Sequence, residues 1–279
     1  MEEKMNNIVL IPTDFSEVAS NAIKQAVKVA KFLKFKVYIL NVIDKNAKAY
    51  LKKENLTVSS IDEKLNKIAS EIFKENNVEV VTESREGSIF TTISDVAKEI
   101  GANLIFLGTH GKVGVQKLTG SLALKVITSS HVPVIVLQKR AFENVYNDIV
   151  LPITSDVGPW EKTKWATYIA NEFNATIHVF QLPGKKIDDA VKQITGHFEK
   201  NKVAFTIKIA DKTGNFSKQV IDYSTSINTD LIMIMTNLDK ALTKFILGTY
   251  DEQIIFNTSQ IPTLCINPIK FNWEKIVTQ

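Results

Sequence analysis

The chain has 279 residues, 44% hydrophobic and 23% charged, with a formal net charge of +4. That length suits two domains of ordinary size, and the balance excludes a disordered or collagen-like chain. The lysines are scattered among acidic residues along helical segments, as in "KKENLTVSSIDEKLNKIASEIFKENN", which reads as a solvated face and not a nucleic-acid stripe. No uninterrupted apolar run approaches the roughly 18 residues of a membrane helix, and "MEEKMNN" lacks the apolar core of a secretion signal, so no membrane contact and a cytoplasmic location are expected. Cys265, the single cysteine, lies in the apolar run "TLCINP" and reads as a buried strand residue.

In chain order, "NIVLIPTD" predicts a strand ending in Pro12, Thr13 and Asp14. "SEVASNAIKQAVKVAKFL" then sets Val18, Ala22, Ile23, Ala26, Val27 and Ala30 on one helical face. The almost wholly apolar "KVYILNVI" suits a parallel strand covered on both sides. A helix through Ile61, Leu65, Ile68 and Ile72 leads to the strand "VEVVTES". Another through Ile89, Ile93, Val96 and Ile100 leads to "NLIFLG", and a last one, with Leu122, Val126 and Ile127 inward, leads to "VPVIVLQ". Strands alternating with helices in this way predict a parallel α/β sheet with right-handed crossovers.

The second half repeats this order. Shifted by 140, Pro12 falls on Pro152 and "KVYILNV" on "TIHVFQL"; shifted by 127, Gly87 falls on Gly214 and "NLIFL" on "DLIMI". "VPVIVLQ" and "IPTLCIN" match as closing strands, each after a helix preceded by Gly-Ser or Gly-Thr. A tandem duplication follows, with its join near residues 139–148 and expected domains 1–142 and 143–279.

The chemistry concentrates in "GTHGKVGVQKLTGS" after the fourth strand. The Walker loop requires a lysine after its second glycine, but Gly120 is followed by Ser121; the dinucleotide fingerprint belongs to the first strand–helix turn, which here reads "PTDFSE". Glycines at 108 and 111 leave room for backbone to approach a phosphate, or else only shape a turn. Gly120 and Ser121 open the last helix, where free N–H groups favour anions by roughly 0.3 to 1 kcal/mol. Asp14 followed by Glu17 also fits a capping pair for the first helix.

"PTD" closing the first strand, with "GTHG" and then "GS" after the fourth, resembles the universal stress protein family, over nearly the whole chain as two tandem domains. The resemblance implies two doubly wound α/β domains of the adenine nucleotide alpha hydrolase-like kind, each with a five-stranded parallel sheet, packed as a pseudo-dimer through the closing strands. It implies ATP in the first domain, with magnesium held mainly by the phosphates, and a regulatory or stress-response role. The implied nucleotide-binding residues are Pro12, Thr13, Asp14, Val42, Gly108, His110, Gly111, Gly120, Ser121 and Leu122. Asp14 and Val42 would hold the nucleoside.

Two departures qualify the match. Eight residues, 112–119, separate Gly111 from Gly120, one fewer than in the family motif. In the second half "MTNL" replaces the paired glycines, with Met235 and Leu238 at their positions, and Thr154 replaces the aspartate, so no nucleotide is expected there. No catalytic residue is assigned, and slow ATP hydrolysis is the most the resemblance allows. The alternative is a nucleotide-free interaction module acting through protein contacts, with a homodimer or other proteins as partners. A hydrolase or transferase has no support: the four histidines form no metal-ligand spacing, and His178 in "TIHVF" reads as a satisfied strand residue.

Overall fold

The computed structural model describes residues 6–109, 120–140, 145–154, 160–239, 244–246 and 248–267. The first half runs β1 (Ile8–Pro12), α1 (Glu17–Leu33), β2 (Lys36–Ile43), α2 (Lys45–Lys53), α3 (Val58–Asn76), β3 (Val80–Glu86), α4 (Ile89–Glu99), β4 (Leu104–Gly108), α5 (Gly120–Ser129) and β5 (Val134–Leu137). The second runs β6 (Asp148–Ile153), α6 (Trp160–Phe173), β7 (Thr176–Gln181), α7 (Lys185–Lys200), β8 (Phe205–Ile209), α8 (Phe216–Ser226), β9 (Leu231–Met235), β10 (Asn237–Asp239), β11 (Lys244–Ile246), α9 (Thr249–Ile255) and β12 (Thr263–Ile266).

The large strands form one sheet in the order β3-β2-β1-β4-β5-β12-β9-β6-β7-β8, so the second half mirrors the first. Pairing is parallel within each half and antiparallel where β5 meets β12, with Thr263 opposite Val136 and Cys265 opposite Val134. The closing strands are therefore the seam of the expected pseudo-dimer. Cys265 is buried in that seam, and burial pushes its thiol pKa up.

Alternation along the strands divides the core between the two sheet faces. Val9 and Ile11 pack on one face with Ala26, Leu65, Ile149 and Phe198; Leu10 packs on the other with Ile93, Val126, Val150 and Ile254. The expected inward face of α1 is buried throughout. His178 lies between Asp148 and Thr206, each 2.8 Å from one ring nitrogen, and is satisfied as expected.

Paired amides also tie the seam together. Asn267 Nδ2 donates to Ile127 O at 2.7 Å and Ser130 O at 2.8 Å, at the end of α5. Gln138, at the matching end of β5, donates through Nε2 to Ile255 O, the last residue of α9, at 3.5 Å and to Asn257 O just beyond it at 3.0 Å. Each half thus supplies donors to the last carbonyls of a helix in the other, groups that have no partner within the helix itself.

Three local details depart from the sequence reading. Ser16, not Asp14, caps α1: its Oγ accepts from Ala19 N at 3.3 Å, while Asp14 Oδ1 accepts from Ser16 N at 3.0 Å. The helix begins at Glu17, so Asp14 lies two residues before the capping position. α2 was not expected; Asp44 caps it, accepting from Ala47 N at 2.8 Å, and Ala47 and Leu51, four apart, face inward. In the second half, the segment matching the glycine-rich loop contains an antiparallel pair, β10 with β11. Among the described residues, no helix is long and apolar enough to cross a membrane.

Candidate functional site

Strand order reverses at β1, whose neighbours β2 and β4 lead away in opposite directions. In open α/β sheets, the crevice beyond the carboxyl ends of the strands at such a switch point is where ligands bind. A cavity of about 320 Å³ lies there, lined by Pro12, Thr13, Asp14, Asn41, Val42 and Gly108 and walled further out by α2 and α3 through Leu51, Ile61 and Lys64. The structure thus brings together five of the expected residues: Pro12, Thr13, Asp14, Val42 and Gly108.

The turn after β1 is fixed by its own polar groups. Thr13 N donates to Leu40 O at 2.8 Å, Thr13 Oγ1 accepts from Phe15 N at 3.1 Å, and Asn41 Nδ2 donates to Thr13 O at 2.8 Å. Phe15 consequently takes a left-handed conformation with φ 64°, uncommon for a bulky residue, and the Lys64 ammonium lies 5.6 Å from its ring centroid. This arrangement leaves the Asp14 carboxylate half-buried in the cavity wall. Asn41 Oδ1 is a buried acceptor with no partner among the described residues.

Gly108 has a packing reason of its own. A Cβ there would lie 2.8 Å from Val18 O and 2.9 Å from Val18 C, so its absence lets β4 meet the first turn of α1. Gly120 is buried, Ser121 exposed and Leu122 half-buried at the start of α5; none of the three lines the cavity. His110 and Gly111 lie outside the described residues.

The matching place in the second half carries a different chemistry. Lys162 Nζ donates to Pro152 O at 2.6 Å, at the end of β6. Part of the side chain reaches the surface, yet burial lowers the ammonium pKa to about 8, opposed by the Asp251 carboxylate. Asp251 is 5% exposed and accepts from Gly248 N at 2.8 Å; burial raises its pKa. By the offsets 140 and 128, these residues replace Ala22 and Ala123, both 0% exposed. An alanine pair in one half is thus a charged pair in the other, which sequence reading missed because the partners lie on separate helices.

The fold and cavity define a doubled α/β protein with a crevice at the topological switch point of its first half. The family model described as "Universal stress protein family" matches residues 5–138. A universal stress protein of Methanocaldococcus jannaschii is 34% identical over 145 residues, covering 49% of this chain and 85% of that protein. One from Synechocystis is 28% identical over 135 residues, covering 48% and 86%. The chain belongs to the universal stress protein family. Over both halves, it is similar in fold to a universal stress protein structure from Archaeoglobus fulgidus, with a TM-score of 0.75 at 16% identity, covering 95% of this chain and 100% of that one. A structure from Pseudomonas aeruginosa gives 0.62 at 15%, covering 94% and 93%.

Proposed function

We propose that residues 1–142 form a domain that binds ATP, and that residues 143–279 form a second domain that binds no nucleotide and serves as paired scaffold or regulatory surface. The whole would act in a stress response through its nucleotide state. The observation that carries this reading is the cavity at the β1 switch point, where Pro12, Thr13, Asp14, Val42 and Gly108 converge. Its volume of about 320 Å³ lies at the lower end of the usual range for small-molecule sites, sufficient for the nucleoside, with the phosphates outside it. Asp14 would accept hydrogen bonds from ribose hydroxyls, and Asn41 Oδ1 supplies a further acceptor that a ligand donor would satisfy.

The triphosphate would lie toward the N-terminus of α5, which begins at Gly120. Among the described residues, no three His, Cys, Asp or Glu side chains gather as a metal site. Magnesium accompanying ATP would therefore take its ligands mainly from phosphate oxygens and water. Binding is the proposed activity, and no catalytic step is assigned to any of the described residues.

A nucleotide-free interaction module is the second reading. It is favoured by one observation, that the fit of Gly108 against Val18 explains this glycine without a ligand. Mass spectrometry of the natively purified protein separates the two. The ATP reading expects retained adenine nucleotide, and expects Asp14→Ala to weaken Mg-ATP binding about tenfold or more, the scale of one lost charge-assisted hydrogen bond. No retained nucleotide, together with no calorimetric signal at millimolar Mg-ATP, would favour the interaction module.

A further inference from the structure

We infer that Asn267, oriented by Thr236, is a positioning residue through which the second half sets the place of α5, the helix assigned above to the phosphates of the first half. The inference rests on the ATP reading and adds to it a role for the second half in ligand affinity.

The Asn267 amide is used on both sides. Its Nδ2 donates to Ile127 O and Ser130 O, while its Oδ1 accepts from the Thr236 hydroxyl. With two donors and one acceptor engaged, and the residue buried, the amide can be neither rotated nor flipped without leaving polar groups unpaired. Thr236 is itself held by its backbone, whose N–H donates to Ile266 O at 2.9 Å, and it stands directly between β9 and β10. The backbone of β11, the second strand of that hairpin, runs beside α5. The second half therefore grips α5 at its C-terminal end and along its side.

A ten-residue helix spans about 15 Å and moves nearly as a rod. A shift at Ile127 and Ser130 is thus passed to Gly120 and Ser121, where hydrogen bonds to an anion tolerate little misplacement. The pseudo-symmetric amide, Gln138, grips the end of α9 in the same way, but α9 belongs to the half whose matching position holds the Lys162 and Asp251 charges. The two amides are equivalent as seam contacts and differ in what they would position, so Gln138 serves as the control.

The test is calorimetric titration of the full chain with Mg-ATP and, separately, with adenosine, alongside thermal unfolding. It uses the wild type, Thr236→Val, Asn267→Ala, Asn267→Gln and Gln138→Ala. We expect Thr236→Val and Asn267→Ala to weaken Mg-ATP binding about tenfold while adenosine binding stays within about twofold, because only phosphate contacts depend on α5. Asn267→Gln, which restores the amide, should recover most of the loss. Gln138→Ala should lower the melting temperature but leave both affinities unchanged. Equal losses for ATP and adenosine, or unchanged ATP binding in folded Thr236→Val, would overturn the positioning role while leaving the ATP reading intact. A wild-type chain that takes up neither ligand would remove that reading, and this inference with it.

Discussion

Lys162→Ala should destabilise the protein at pH 7, because it removes the 2.6 Å bond to Pro152 O, a charge-assisted bond worth about 1.5 to 3 kcal/mol, and the ammonium whose charge favours the buried Asp251 carboxylate. The abandoned group is Asp251, 5% exposed at the start of α9, which would keep its bond from Gly248 N but lose the cation. For a chain of this size the loss corresponds to a melting temperature lower by roughly 3 to 12 °C. The double variant Lys162→Ala/Asp251→Ala restores the alanines that the first half has at both positions. Neither charge is then left buried without the other, so the double variant should be more stable than the sum of the two single losses gives. Denaturant midpoints for the wild type, both single variants and the double variant measure the coupling directly.

The pH dependence of the same cycle has a fixed sign. Lys162 titrates near 8 in the folded chain against 10.5 ordinarily, so between these values the unfolded chain binds more protons. Wild-type stability relative to the double variant should rise as pH increases from 8 to 10.5, and should level off just below 8, where Lys162 is protonated in both states. A wild type and double variant that stay parallel across that window would show that the ammonium is not buried as the structure has it.

The second large effect is expected at Gly108. Gly108→Ala places a methyl 2.8 Å from Val18 O, 2.9 Å from Val18 C and 3.1 Å from Ala19 N, all backbone atoms that move only with α1. Overpacking of this kind costs about 1 to 3 kcal/mol, and the larger value is expected because a helix must retreat. The turn carrying Asp14 is continuous with that helix, so ATP binding should weaken with it. At the matching place the second half has Met235. An unchanged denaturant midpoint for Gly108→Ala would mean that the glycine is not required by packing.

The contrast between the halves shows what one-dimensional patterns carry. The apolar runs at 36–43 and 104–108 marked their strands because strands buried on both sides must be apolar throughout, and the spacing of Ala22, Ala26 and Ala30 marked α1 because a helix buries one face. α2 escaped notice because it offers only Ala47 and Leu51 to the core among four lysines, although Asp44 before it was a readable cap. With α2 went the outer wall of the cavity. The spacing of Asp14 to Glu17 allows capping as an alternative to ligand binding; the left-handed Phe15 delays the helix and hands that task to Ser16.

What sequence reading could not reach is what the fold assembles from distant segments. Lys162 and Asp251 are ordinary charged residues in ordinary helices until the fold brings α6 and α9 near enough for the two charges to act on each other. Asn267 and Gln138 sit one residue past apolar strands and look like loop polars; only the antiparallel seam turns each toward the other half. Five of the expected site residues converged because the PTD segment and the ends of β2 and β4 share one edge of the sheet, which topology alone dictates.

The measurement that tests the account most directly is the stoichiometry of Mg-ATP binding to the intact chain by calorimetry, repeated with Asp14→Ala. The account predicts one site per chain, lost or strongly weakened in Asp14→Ala. Two equivalent sites, or one site indifferent to Asp14, would contradict it.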